Sequence, residues 1–163
     1  MTTRQPPSSR GAARWAGMAL GALSLISAAP AHAVLGGSYN TIETDRLHMA
    51  AQVRTSAAAS FSVHALTLAN GAVVREFTRG DGTVFAVDWR GPGRPDLRQL
   101  LGSYFDILQT DNAIPVGRRR TRRPLAVNRA DLVIQTAGHP GAFQGVAILP
   151  KQAPTGFSAA DLK

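Results

Sequence analysis

Cysteine is absent from the 163 residues. That excludes a disulfide scaffold, thiolate zinc sites, iron–sulfur clusters and a cysteine nucleophile. Aromatic residues are scarce at 6%, and charged residues are only 17%. The composition is therefore not that of a disordered, highly charged tail protein. No apolar run reaches the roughly 20 residues that a membrane-spanning helix needs. Also missing are the G-x-S-x-G elbow, the Walker loop, the H-E-x-x-H pair and the Rossmann glycine pattern. No motif therefore names an activity. What is present is an address segment, a set of turn signals, one apolar helical stripe and one dense run of arginines.

Residues 1–14 carry Arg4, Arg10 and Arg14 and no acidic residue, residues 15–29 are apolar apart from Gly and Ser, and Ala31-His32-Ala33 is a small–x–small site. This is the three-part layout of a secretory signal peptide over 1–33, with cleavage expected before Val34. No cysteine follows for lipid attachment, and the arginines are not adjacent as in a twin-arginine signal. Export to the periplasm or beyond is the expectation, with no transmembrane segment in the mature chain. Residues 34–163 are long enough to bury a core without staples. The formal charge of +8 is unevenly spread. Without the three leader arginines, fifteen basic residues remain against ten acidic ones, and five of the fifteen are Arg118, Arg119, Arg120, Arg122 and Arg123. Outside that run the mature chain is balanced.

Asn40, with Glu43 three residues on, predicts a capped helix over 41–54 on the stripe Ile42, Met49, Ala50 and Val53, followed by a small-residue connector, 57–60. Residues 61–90 hold three β-rich runs separated by Asn70-Gly71 and Gly80-Asp81-Gly82. A two-residue type I′ turn at Asn70-Gly71 and a three-residue second turn predict His64 opposite Phe77, Phe77 opposite Phe85, and Val73 opposite Trp89. In that register Leu66, Leu68, Val73, Phe77, Phe85, Val87 and Trp89 share one face with His64 and Arg75. The other face then carries Thr67, Val74, Glu76, Thr78, Ala86 and Asp88. Pro95 and Asp96 open a second helix, 96–109, whose Leu97, Leu100, Leu101, Tyr104, Phe105 and Leu108 form an apolar stripe for the sheet. After a loop, strands are expected at 131–136 and 142–149 around Gly138-His139-Pro140-Gly141. Pro150 and Pro154 predict a loose tail, 151–163. The fold class expected is α+β: a small, mainly antiparallel sheet, made of a three-stranded meander plus a C-terminal hairpin, packed against one or two helices in a single domain.

VLGG at the mature start, NGAVVREF, GTVFAVDWRGPGRPDLRQLLGSYF and FQGVAILP together resemble an uncharacterised family of short exported proteins of Gram-negative bacteria, domain-of-unknown-function family 2844. The resemblance covers nearly all of 34–150. It implies export and one small domain, and brings no activity, cofactor or catalytic residue. The run 118–123 stands outside the family's pattern.

His64 beside Phe77, Phe85 and Trp89, with Arg75 on the same face, is the pocket candidate. His64 reads either as a semi-buried histidine bonded to backbone or as a pH-sensitive, ligand-contacting group. Arg75 reads as snorkelling, as paired with Asp96 or Asp106, or as an anion anchor. Glu76 and Asp88 read as surface charges, or as an acid–base pair if their pKa values were pushed apart. His48, His64 and His139 lack close ligand spacing, so no metal and no cofactor is expected. The run 117–123 is either a solvated loop or an anion-binding element made by Arg118, Arg119, Arg120, Arg122 and Arg123. It has no interleaved aromatics for stacking single-stranded bases, so no specific nucleic-acid partner is expected.

Three functions compete. The first is a non-enzymatic exported domain binding anionic envelope polymer, lipid headgroups or another envelope protein. The second is a small periplasmic hydrolase with a carboxylate/His site. The third is an assembly factor that recruits a partner strand at a sheet edge.

Overall fold

The computed structural model describes residues 1–2, 35–114 and 124–162. The leader beyond its first two residues, and the arginine run 118–123, lie outside the described residues. The described chain runs α1 (Asn40–His48), β1 (Gln52–Ala57), β2 (Phe61–Thr67), β3 (Val73–Arg79), β4 (Val84–Gly91), α2 (Leu97–Leu101), α3 (Tyr104–Asp111), β5 (Ala126–Asn128), β6 (Val133–His139) and β7 (Ala142–Ile148). The strands form one sheet in the order β1-β2-β3-β4-β7-β6-β5, antiparallel throughout. The class is α+β, as expected, but the sheet has seven strands rather than a meander plus a hairpin.

The extra strand at the N-terminal edge comes from the segment expected to continue the first helix to residue 54. The helix stops at His48 because Ala50 turns to φ 46°. Ala51 N–H then bonds to the Arg46 carbonyl at 2.9 Å and Ala50 N–H to that of Leu47 at 3.2 Å. This is the Schellman arrangement, usually signalled by Gly or Asn at the position Ala50 occupies. Asn40 is the first helical residue rather than the cap, and Glu43 bonds Arg46 instead of reaching back. Gln52–Ala57 then pairs along β2.

The β2–β3 turn corrects the expected register. Gly71 N–H bonds to the Leu68 carbonyl, and Leu68 N–H to that of Ala72. Gly71 alone in this turn has positive φ, at 81°. The loop is therefore three residues long, a type I turn closed by a left-handed glycine, rather than a two-residue type I′ turn. Asn70 Oδ1 accepts from Ala72 N–H at 2.9 Å, which holds this form. The pairing slips by one residue: His64 faces Glu76, Leu66 faces Val74 and Val63 faces Phe77.

The second hairpin has the expected three-residue loop, and Thr78 faces Val84. A bulge follows between Phe77 and Thr78, so that Phe77 faces Ala86, Arg75 faces Asp88 and Val74 faces Trp89. Phe85 is the extra residue. A one-residue shift transfers every side chain to the other face. Trp89, Val87, Leu66 and His64 thus lie on the helix side with Val74, Glu76 and Thr78, while Phe77, Phe85, Arg75, Val73 and Asp88 lie on the other.

Both faces carry apolar clusters. On one, Leu66, Val74, Val87, Trp89, Ile134 and Ala147 pack under Leu100, Leu101 and Leu108. Trp89 stands so close over β7 that a Cβ on Gly145 would come 2.2 Å from its Cζ2; only glycine fits there. The expected helix 96–109 is two helices, broken at Gly102. Asp96 Oδ1 caps the first by accepting from Arg98 and Gln99 N–H at 2.9 and 3.2 Å. On the other face, Phe77, Phe85 and Ala86 pack with Phe61, Val63 and Phe157. The tail is therefore not loose. It winds through short turns at Pro150–Gln152 and Ala159–Leu162 and sets Phe157 edge-on to Phe85, with ring centroids 4.7 Å apart. Chain that looked dispensable is docked because the bulge gave the second face aromatics to cover.

Candidate functional site

The slipped register brings ionisable side chains under α1. Thr55, His64 and Glu76 are successive cross-strand partners on β1, β2 and β3, and Thr78 follows Glu76 on the same face. His64 is 2% exposed. Its Nδ1 lies 2.9 Å from Thr55 Oγ1 and its Nε2 3.0 Å from Thr78 Oγ1. A neutral imidazole has one donor and one acceptor, and a hydroxyl serves either, so the ring is satisfied without a charge. Burial lowers its pKa accordingly. The partners are side chains, not the backbone expected from sequence. The Tyr39 ring tilts against it at 5.2 Å, and a cleft of about 170 Å³ opens beside them between Ile42, Glu43, Val53 and Thr55.

Glu76, expected on a solvated face, is 1% exposed. No N–H or hydroxyl among the described residues donates to its carboxyl oxygens. Its partner is the carboxyl of Asp45 from α1, itself fully buried. Burial, then the neighbouring Asp45 charge, then the Asp45 hydrogen bond push Glu76 up to about 8. Two carboxylates in contact cannot both ionise without strong repulsion. At neutral pH Glu76 is accordingly protonated and donates its O–H to Asp45. Asp45 Oδ1 also accepts from Gln99 Nε2 on α2 at 2.5 Å. One buried acid therefore ties α1, α2 and β3 together. Asp45 and Gln99 were missed from sequence. The available signal was that Asp45, three after Ile42 and four before Met49, sits on the apolar stripe of α1.

The pocket candidates are not brought together. His64 and Trp89 are on the helix side, and Arg75, Phe77 and Phe85 are on the other. Arg75 pairs with neither Asp96 nor Asp106. It grips Asp88 directly across the ladder with both Nε, at 2.9 Å from Oδ1, and Nη2. Burial raises the Asp88 pKa, while the hydrogen bond and charge of Arg75 and the charge of Arg90 oppose the rise. Glu76 and Asp88 are on opposite faces, so no acid–base pair forms between them. His48 ends α1, and His139 sits in the β6–β7 turn with Nδ1 3.0 Å from the Pro140 carbonyl. Among the described residues no three His, Cys, Asp or Glu side chains cluster to hold a metal ion, and no helix is long and apolar enough to cross a membrane. Arg118, Arg119, Arg120, Arg122 and Arg123 lie outside the described residues.

The fold and this interior define an α+β protein on one antiparallel sheet whose buried acids join its elements. The chain belongs to the family described as "Protein of unknown function (DUF2844)", which matches residues 31–162. Neither a curated protein nor a solved structure matches it.

Proposed function

We propose that the chain is an exported envelope domain, periplasmic or secreted after cleavage before Val34, whose role is non-enzymatic binding. It contacts anionic envelope components through Arg118, Arg119, Arg120, Arg122 and Arg123. One contrast carries this reading. Inside the fold, Glu43, Asp81, Asp88, Asp106 and Asp111 are each ion-paired with an arginine, and Glu76 is bonded to Asp45. The five arginines, by contrast, stand in a stretch of sequence from 112 to 130 with no acidic residue. Clustered guanidinium groups repel one another and are stabilised by phosphate or carboxylate partners. Against the hydrolase alternative stand the placement of Asp88 and Glu76 on opposite faces and the burial of both His64 and Glu76 away from solvent.

The test is adsorption of the exported chain to anionic vesicles and to acidic polymer. Replacing the five arginines with Ser removes most of the salt-sensitive adsorption if the reading is right. Unchanged adsorption overturns it.

A second reading, recruitment of a partner strand, is favoured by β1. It is an edge strand with five of six residues exposed, one charge and no proline, a form that accepts an added strand. Capture of a periplasmic partner that is lost in Ala57→Pro, at a position whose N–H points away from β2, with the melting temperature held, supports it. Capture unaffected by that change removes it.

A further inference from the structure

The described residues cover the second face of the sheet only in part. The aromatic cluster and Phe157 occupy one end. Beyond it the register aligns Arg54, Ala65, Arg75 and Asp88 across β1 to β4. The next row holds Gln52, Thr67, Val73, Arg90 and Gln144. Gln52, Arg54, Thr67, Arg90 and Gln144 are exposed. With strands about 4.8 Å apart, Arg54 and Arg75 stand about 10 Å from each other, and Arg90 one strand further on. Asp88 is the only acid in these rows, and Arg75 already holds it. Neither Arg54 nor Arg90 forms an ion pair among the described residues.

We infer that this open half-face is a docking surface for an acidic polysaccharide. It involves residues other than the arginine run but rests on the same envelope-binding reading. Charge complementarity selects an anionic occupant, since three arginines face one carboxylate. The shape and chemistry then choose among anions. The exposed side chains are long or hydroxylated hydrogen-bonding groups, with the half-buried Ala65 and Val73 low between them. No exposed aromatic is present to stack a base, and a flat sheet face does not enter a duplex groove. No exposed apolar side chain is present to enter a lipid layer, nor an aromatic anchor of the kind that centres protein interfaces. A polymer rich in hydroxyls and carboxylates matches what is left: amides and threonine for the hydroxyls, and forked guanidinium groups for the carboxylates.

The probe is polygalacturonate, cast into a native gel, with neutral dextran, duplex DNA and anionic vesicles as comparisons. The unaltered chain is retarded by polygalacturonate in a salt-sensitive way and passes through dextran. Arg54→Gln with Arg90→Gln weakens retardation about tenfold, with an unchanged melting temperature because both residues are exposed. Retardation equal to that of the unaltered chain, or preference for DNA or vesicles over polygalacturonate, overturns the inference. The five-Ser variant separates the two surfaces. If it abolishes binding while the Gln pair leaves it intact, the face is wrong and the arginine run stands. If the Gln pair abolishes binding and the five-Ser variant does not, the face stands and the run is wrong.

Discussion

Glu76 is the residue whose chemistry most affects the fold. An acid protonated in the native state at a pH where the unfolded chain has released its proton loses stability as pH rises. Its window runs from the ordinary 4.5 to about 8. His64 acts in the opposite sense. It is held neutral by burial, so the unfolded chain binds a proton first as pH falls through 6.5, and stability is lost toward acid. Below 6.5 the two groups offset each other, and between 6.5 and about 8 only Glu76 acts. The unfolding free energy is therefore expected to fall across that upper interval, with a slope approaching ~1.4 kcal/mol per pH unit, and the melting temperature falls with it. Glu76→Gln, which keeps a donor for Asp45 and removes the titration, is expected to flatten the fall and to raise stability at pH 8. Calorimetry at half-unit pH steps reads both. A variant that declines in parallel with the original chain would show that the proton is not held at Glu76. From sequence, His64 was visible as an unusual residue on an apolar face, Glu76 was placed on the solvated one, and the partners of both were hidden. Thr55, Thr78 and Asp45 reach them only through register and through α1, which local pattern does not encode.

At the scale of elements, the tail and the bulge belong together. Phe85 is displaced onto the second face by the bulge, and Phe157 covers it along with Phe61 and Phe77. Phe157→Ala is expected to cost about 1–3 kcal/mol, below the range for a fully buried aromatic because this one is only half-buried. It is also expected to expose residues 151–162 to protease before the sheet opens. Limited proteolysis beside a denaturant melt checks this, and an uncut tail at unchanged stability would refute the docking. Strands β2, β3, β4 and β7 and the Leu97–Leu108 stripe were legible because alternation, glycine turns and three–four spacing are local signals. Strand β1 was hidden because its helix ends on an alanine in a conformation that normally advertises itself with glycine.

For the whole molecule, the expected outcome is export. Fractionation with N-terminal sequencing should recover a chain beginning at Val34 outside the cytoplasm. A full-length cytoplasmic chain would contradict that and remove the envelope reading with it. The charge pattern then acquires a purpose at this scale. The described fold pairs five of its acids with arginines, and the proposed binding role falls to the arginine run and to one half-face of the sheet.

Turn positions, the amphipathic stripe, the α+β class and the family were set by the chain's own order of residues. Glycine conformation, apolar periodicity and motif spacing act over a few neighbours and need no third dimension. Which face each strand shows to which layer was decided only in the folded molecule. A single left-handed glycine and a one-residue bulge each reverse the alternation, and their outcome depends on distant groups. Asp45 had to meet Glu76, and Phe157 had to meet Phe85, before Trp89 and Phe77 could be assigned to opposite sides.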